Sequence, residues 1–164
     1  MKRIILAMAG ALTFACPALA QDTFYGGISL GIADYSFADS EGIVTVATVG
    51  LALPQLGEKF AIEGEMTRTL WRPDTAQFGG ISYTTAGGYG VHALGIGPKL
   101  DLRTRIGMTY KRVDFGDEIA DSSLSGSLSL GLAYELQDGL RLVADHTLIG
   151  TDITNTSIGL QYRF

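Results

Sequence analysis

This 164-residue chain contains one cysteine, four prolines, one tryptophan and two histidines. The cysteine, Cys16, falls in a segment expected to be removed on export, so the mature chain has no disulfide and no thiol chemistry. Basic residues are also scarce: twelve Lys and Arg stand against seventeen Asp and Glu. That balance argues against a nucleic-acid surface, which needs clustered cations. After residue 20 no apolar run reaches about 18 residues, so no segment can span a bilayer as a helix. No internal repeat, linker or low-complexity block is present.

Residues 1–20 have the pattern of a secretory signal. Lys2 and Arg3 give the positive start, Ile4 to Ala15 the apolar stretch, and Ala18-Leu19-Ala20 the small-residue cleavage site. A lipoprotein alternative would use Cys16, but Thr13-Phe14-Ala15 lacks the leucine usual before a lipidated cysteine. Cleavage leaves ten basic against seventeen acidic residues, a net charge of −7. Residues 21–164 suit a single domain.

What the chain has in quantity is glycine, twenty-two residues, together with a positive mean hydropathy. Its apolar residues are spread over alternating segments, the period of a strand with one greasy face. The last stretch is the clearest: Ile158, Leu160, Tyr162 and Phe164 alternate with Ser157, Gly159, Gln161 and Arg163. Eight strands are expected, near Phe24–Ala33, Ile43–Leu53, Phe60–Leu70, within Ser82–Ile96, Leu100–Lys111, around Leu124–Tyr134, Leu140–Ile149 and at the terminus. The second has apolar residues on both faces and the fourth is rich in glycine, so their registers stay open. Short connections at Pro54–Glu58, Gly97–Lys99 and Gln137–Gly139 alternate with longer polar ones at Ser36–Gly42, Arg72–Ile81 and Asp114–Ser122; a fourth, at Gly150–Thr154, is short.

The polar face decides which way such a barrel is turned. The sixth strand sets Leu124, Leu128, Leu130, Leu132 and Tyr134 against Ser123, Ser125, Ser127 and Ser129. Serines and charges make a poor dry core, and the leucines would form an exposed patch in water. With the leucines in hydrocarbon and the polar residues lining a narrow lumen, both problems vanish. Glu63 and Glu65 of the third strand should then lie level with Arg103 and Arg105 of the fifth, with Arg141 and Asp145 adding one charge of each sign. Three acids facing three bases are expected to pair and plug the lumen, because unpaired burial would cost several kcal/mol per charge.

Phe24, Phe60, Tyr134, Tyr162 and Phe164 are expected in an interface girdle at one end of the strands, and Tyr35, Trp71, Tyr83 and Tyr110 at the other. Arg68 falls on the greasy face near the outer rim, where it could snorkel or reach lipid phosphate.

On these residues the chain resembles the small eight-stranded bacterial outer-membrane barrels, the group of the OmpA transmembrane domain and OmpX. The resemblance covers residues 21–164 and implies an all-β, antiparallel up-and-down barrel in the outer membrane; if both termini are periplasmic, the short turns face inward and the longer loops outside. It also implies that Ile158, Leu160, Tyr162 and Phe164 form the terminal signal read by the barrel-assembly machinery. Outer-membrane lipids and lipopolysaccharide are the other expected partners, and a monomer is expected. No peptidoglycan-binding domain accompanies the barrel, so that role is not implied.

Chemistry is not expected. His92 and His146 are the only histidines, and Asp145-His146-Thr147-Leu148 lacks the serine two residues on that lipid A deacylases carry. The serine ladder reads as lumen lining, the acidic run Asp114, Asp117, Glu118 and Asp121 lacks calcium-loop spacing, and Gly87-Gly88-Tyr89-Gly90 lacks a phosphate-loop lysine. No cofactor or metal is expected. The reading is a non-catalytic barrel for envelope integrity or adhesin-like surface contact, with a minor pore and a lipid A-modifying enzyme as alternatives.

Overall fold

The computed structural model describes residues 23–36, 40–57, 59–72, 74–75, 79–115 and 119–164; the expected signal segment with Cys16 lies outside them. The strands in chain order are β1 (Phe24–Tyr35), β2 (Gly42–Ala52), β3 (Phe60–Trp71), β4 (Asp74–Thr75), β5 (Gly79–Gly95), β6 (Leu100–Phe115), β7 (Ile119–Gln137), β8 (Leu140–Ile149) and β9 (Ile153–Arg163). The two residues of β4 pair only with the start of β5, so eight long strands build the wall. Each pairs antiparallel with its neighbours, β1 joins β9, and β3 joins β5 to close the ring. Closure satisfies the wall's backbone groups without leaving an edge, the condition for crossing hydrocarbon with strands.

Side-chain parity follows the sequence pattern. Ile28, Leu30 and Ile32 of β1, Ile62 and Met66 of β3, Ile106 and Met108 of β6 and Leu128, Leu130 and Leu132 of β7 all face outward and are exposed. Glu63, Glu65, Arg103, Arg105, Ser127 and Ser129 face inward and are buried. The structure also fixes the two open registers. In β2, Ile43 and Val49 point out while Val44 and Val46 point in; in β5, Ile81, Tyr83, Thr85, Tyr89 and Val91 point in.

That register corrects two expectations. Tyr35 and Tyr83 are not girdle residues: they are 1% and 0% exposed and form an edge-to-face pair, ring centroids 5.3 Å apart, inside the lumen. Trp71, at 72% exposed, and Tyr110 do face outward. The connection expected at Asp114–Ser122 is largely strand, because Phe115 pairs with Ile119 and Asp114 with Ala120. Asp114, Gly116, Asp117 and Glu118 interrupt any apolar alternation there, so the sequence gives no strand signal. Asp114 and Asp121 are therefore strand residues, while Asp117 and Glu118 lie outside the described residues. The Gly87–Gly90 run sits in mid-strand, within β5.

Both described chain ends and the turns at Pro54–Leu56, Gly97–Lys99 and Asp138–Gly139 share one end of the barrel. A short 3-10 turn, Pro54–Leu56, joins β2 to β3, and Gly139 turns β7 into β8 at φ 75°, a backbone state glycine adopts without strain. Inside the opposite, loop end the lumen is packed with apolar side chains. Ala33, Tyr35, Val44, Val46, Ile81, Tyr83, Val113, Ile149 and Ile153 form one apolar cluster across the lumen there. The lumen is thus not polar throughout, as the sequence alone suggests: an apolar lid closes the loop end above a charged middle.

Candidate functional site

The middle of the lumen is built by three strands that the register brings level. Glu63 and Glu65 come from β3, Arg103 and Arg105 from β6, with β5 between them. Asp145 comes from β8. Arg103 binds Glu63 through Nη2 and Asp145 through Nη1, the latter at 3.3 Å. Arg105 reaches Glu63 Oε2 at 3.1 Å and Glu65 Oε2 at 2.8 Å. The Tyr25 hydroxyl donates to Glu63 Oε1 at 2.8 Å, so one carboxylate gathers two guanidiniums and a phenol.

Arg141 stands apart from this cluster. It pairs with Asp101 at 3.5 Å, both partly exposed, at the turn end. Asp101 is inward-facing on β6 one position pair below Arg103, which brings its carboxylate nearer the mouth, where Arg141 also lies. The cluster therefore holds three carboxylates and two guanidiniums rather than three of each. Near the mouth, Lys59, Arg103, Arg141 and Arg163 line a cavity of about 60 Å³ with Tyr25 and Glu63.

Toward the loops the network turns neutral. Tyr89 lies under Arg105, whose Cζ is 4.6 Å from the ring centroid. Its hydroxyl meets Thr109 Oγ1 at 2.9 Å and Ser127 Oγ at 3.1 Å. Thr147 Oγ1 donates to Ser129 Oγ at 3.0 Å and accepts from Arg105 Nη2 at 3.3 Å. Higher still, Lys111 Nζ binds Asp152 Oδ2 at 2.7 Å. Asp152 also accepts from Thr151, and the Lys111 bond with this hydroxyl holds its carboxyl below the ordinary aspartate range. Tyr89 and the Lys111–Asp152 pair were missed by sequence reasoning. The signal for the second was parity alone, since Lys111 shares the inward face of Arg105 and Thr109.

Neither histidine meets the needs of a hydrolase. His146 is exposed on the outer wall with Nδ1 2.8 Å from Thr156 Oγ1, and His92 packs against Phe60, ring centroids 4.9 Å apart. Among the described residues neither bonds a serine or a carboxylate, whereas general-base work needs both neighbours in reach. Ser125, Ser127 and Ser129 line the lumen instead. Among the described residues no group of three His, Cys, Asp or Glu is placed to hold a metal ion.

On the outer wall, Arg68 is exposed, and Ile158, Leu160, Tyr162 and Phe164 all face outward. Tyr162 and Phe164 stack edge to face, centroids 5.4 Å apart, beside the turn end.

The comparisons agree with this architecture. Neisserial surface protein A aligns over 86% of this chain and 96% of its own at 14% identity, TM-score 0.63. The N-terminal β-barrel domain of Pseudomonas aeruginosa OprF aligns over 88% and 100% at 10% identity, TM-score 0.62. Ail, the attachment invasion locus protein of Yersinia pestis, aligns over 87% and 97% at 12% identity, TM-score 0.59. At these identities the likeness carries the fold alone. A comparison with curated proteins finds no match. The family model described as "Outer membrane protein beta-barrel domain" matches residues 5–164, nearly the whole chain, and locates it in the outer membrane. With its closed eight-strand wall, greasy outer face and charged lumen, the chain belongs to that outer-membrane β-barrel family.

Proposed function

We propose that this protein is a sealed, non-catalytic barrel that strengthens the envelope and presents its outer loops for surface contact, adhesin-fashion. One observation carries the reading: side chains fill the lumen in successive layers, ions in the middle and an apolar lid at the loop end. An eight-stranded wall encloses only enough space for such filling. Function is then left to the outer surface and the loops. The names of two structural neighbours, a surface protein and an attachment invasion locus protein, fit that assignment. The outward row Ile158, Leu160, Tyr162 and Phe164 fits recognition by the barrel-assembly machinery.

Planar-bilayer recording on the refolded protein tests the seal. The expected trace is flat, and steady large conductance steps would overturn the reading in favour of a pore. Deletion and complemented cells should differ in detergent sensitivity or in surface attachment. A change in lipid A mass on deletion, abolished by His146→Ala, would instead restore the enzyme alternative.

A further inference from the structure

The turn end of the lumen is plugged unevenly. On one side the lining is small: Ala52 at the end of β2, Ala61 at the start of β3 and Ala93 near the end of β5. On the other side it is long: Arg103 of β6, Arg141 of β8 and Arg163 of β9. The alanines leave space and the arginines reach toward it, which produces the cavity of about 60 Å³ at the mouth. One water needs roughly 10–15 Å³ of such space, so the cavity suits a compact ion of a few heavy atoms rather than a chain.

The cations around this space are not all spent. Glu63 borders it, but its two oxygens are taken by Arg103, Arg105 and Tyr25. Arg103 gives its other terminal nitrogen to Asp145. Arg141 has only its 3.5 Å contact with Asp101, too long for a good N–H···O bond. Lys59 and Arg163 have no carboxylate partner among the described residues. Both are fixed at the mouth by their backbones. The Lys59 carbonyl accepts from the Ala93 amide at 2.9 Å, and the Arg163 amide donates to the Gly139 carbonyl at 2.8 Å.

Three cations from three separate segments thus converge on one space with donors unused. The carboxylate that the lumen network holds in excess does not reach them, since Glu65 and Asp145 do not border the cavity. Glu135 and Asp138 border the adjoining cleft with Arg141 and Arg163, without pairing with either among the described residues. Those acids repel an extended polyanion, while a small anion seated among the cations is bonded from several sides. Three donor groups suit a tetrahedral oxyanion, which offers an oxygen to each; a carboxylate has two.

We propose that Lys59, Arg141 and Arg163 form a site for one phosphate-class oxyanion at the turn-end mouth, supplied as free phosphate or as the phosphate of a lipid head group. The bound ion joins β8 and β9 to the connection between β2 and β3. The site goes beyond the sealed-barrel reading. Layers higher in the lumen carry that seal, so a flat conductance trace and anion binding can fail separately.

The test is the thermal midpoint of the refolded barrel in a phosphate-free, uncharged detergent, followed by circular dichroism. Sodium phosphate is compared with sodium chloride at equal ionic strength, which removes general screening. Phosphate at about ten times its dissociation constant should raise the wild-type midpoint by about 3–4 °C. K59Q and R163Q should each need about tenfold more phosphate for the same rise, the worth of one charge-assisted bond. K99Q, a turn-end cation that does not border the cavity, should behave as wild type. Phosphatidylglycerol mixed into the same micelles separates the sources. A rise with the lipid alone, lost in K59Q/R163Q, assigns the phosphate to a head group, and a rise with sodium phosphate assigns it to the free ion. Heat-modifiable gel migration reports that each variant is folded. No rise from either source in wild type would overturn the site. So would an undiminished rise in K59Q/R163Q, or an equal loss in K99Q.

Discussion

Arg105 and Glu63 meet at 3.1 Å, Nη1 to Oε2, with both side chains almost wholly withdrawn from solvent. The same guanidinium holds Glu65, and the same carboxylate holds Arg103, so the pair is the junction of the lumen network.

The balance of that network sets an order of sensitivity. Its three carboxylates already outnumber its two guanidiniums, so removing a cation should cost more than removing one acid. Arg105→Gln leaves Glu65 buried without its cation and should lose about 3–5 kcal/mol. Glu63→Gln leaves Arg103 with Asp145 and Arg105 with Glu65, and should lose only about 1–2 kcal/mol. Replacing Glu63 and Glu65 together by alanine should again be severe, since Arg105 keeps no bonded acid. Urea unfolding in lipid vesicles measures all three, and Glu63→Gln proving worse than Arg105→Gln would refute the count of charges.

Two glycines one row apart on β5 and β6 should respond oppositely to an added methyl. A Cβ on Gly107, which faces the lumen opposite Tyr89, would run into the Gly88 carbonyl and the Tyr89 backbone. Backbone cannot step aside, so Gly107→Ala should impair folding into vesicles. A Cβ on Gly88 meets nothing within 4 Å and would point into lipid. Gly88→Ala should fold at wild-type yield, read as the fraction of heat-modifiable species on gels. Equal yields for the two variants would contradict the register of β5.

Acid should loosen the loop end through Asp152. Its carboxyl is held below the ordinary range by the hydrogen bonds from Lys111 and Thr151, so it takes up a proton less readily folded than unfolded. Such a group adds stability above the unfolded value, about 3.9 for aspartate, and loses it as pH falls through the folded one. The thermal midpoint of wild type should therefore drop toward pH 3 more steeply than that of Asp152→Asn. Parallel acid limbs for the two proteins would rule out this linkage. Asp152 is partly exposed, so the difference should be small and shrink with salt.

How much of this was legible depended on whether a strand kept strict alternation. β3, β6 and β7 do, and parity alone places Glu63, Glu65, Arg103, Arg105 and the serines on one face. Counting from the strand starts also brought the acids of β3 level with the arginines of β6. The same count misplaced Arg141, because it gave depth along each strand but not which neighbour a long side chain would meet at the mouth. In β5, Gly87, Gly88 and Gly90 erase the contrast between faces, so the inward turn of Ile81, Tyr83 and Tyr89 could not be read. Tyr35 was readable, since it shares the face of Ala33, and was misjudged by its closeness to the strand end. Aromatic residues at a rim look alike in sequence whether they face lipid or lumen.

Every residue of the apolar lid belongs to a strand, from Ala33 and Tyr35 in β1 to Ile149 and Ile153 in β8 and β9. On the sealed-barrel reading proposed above, the barrier is therefore carried by strand residues. If that reading holds, residues in the connections can be exchanged under pressure from outside the cell without opening the barrel.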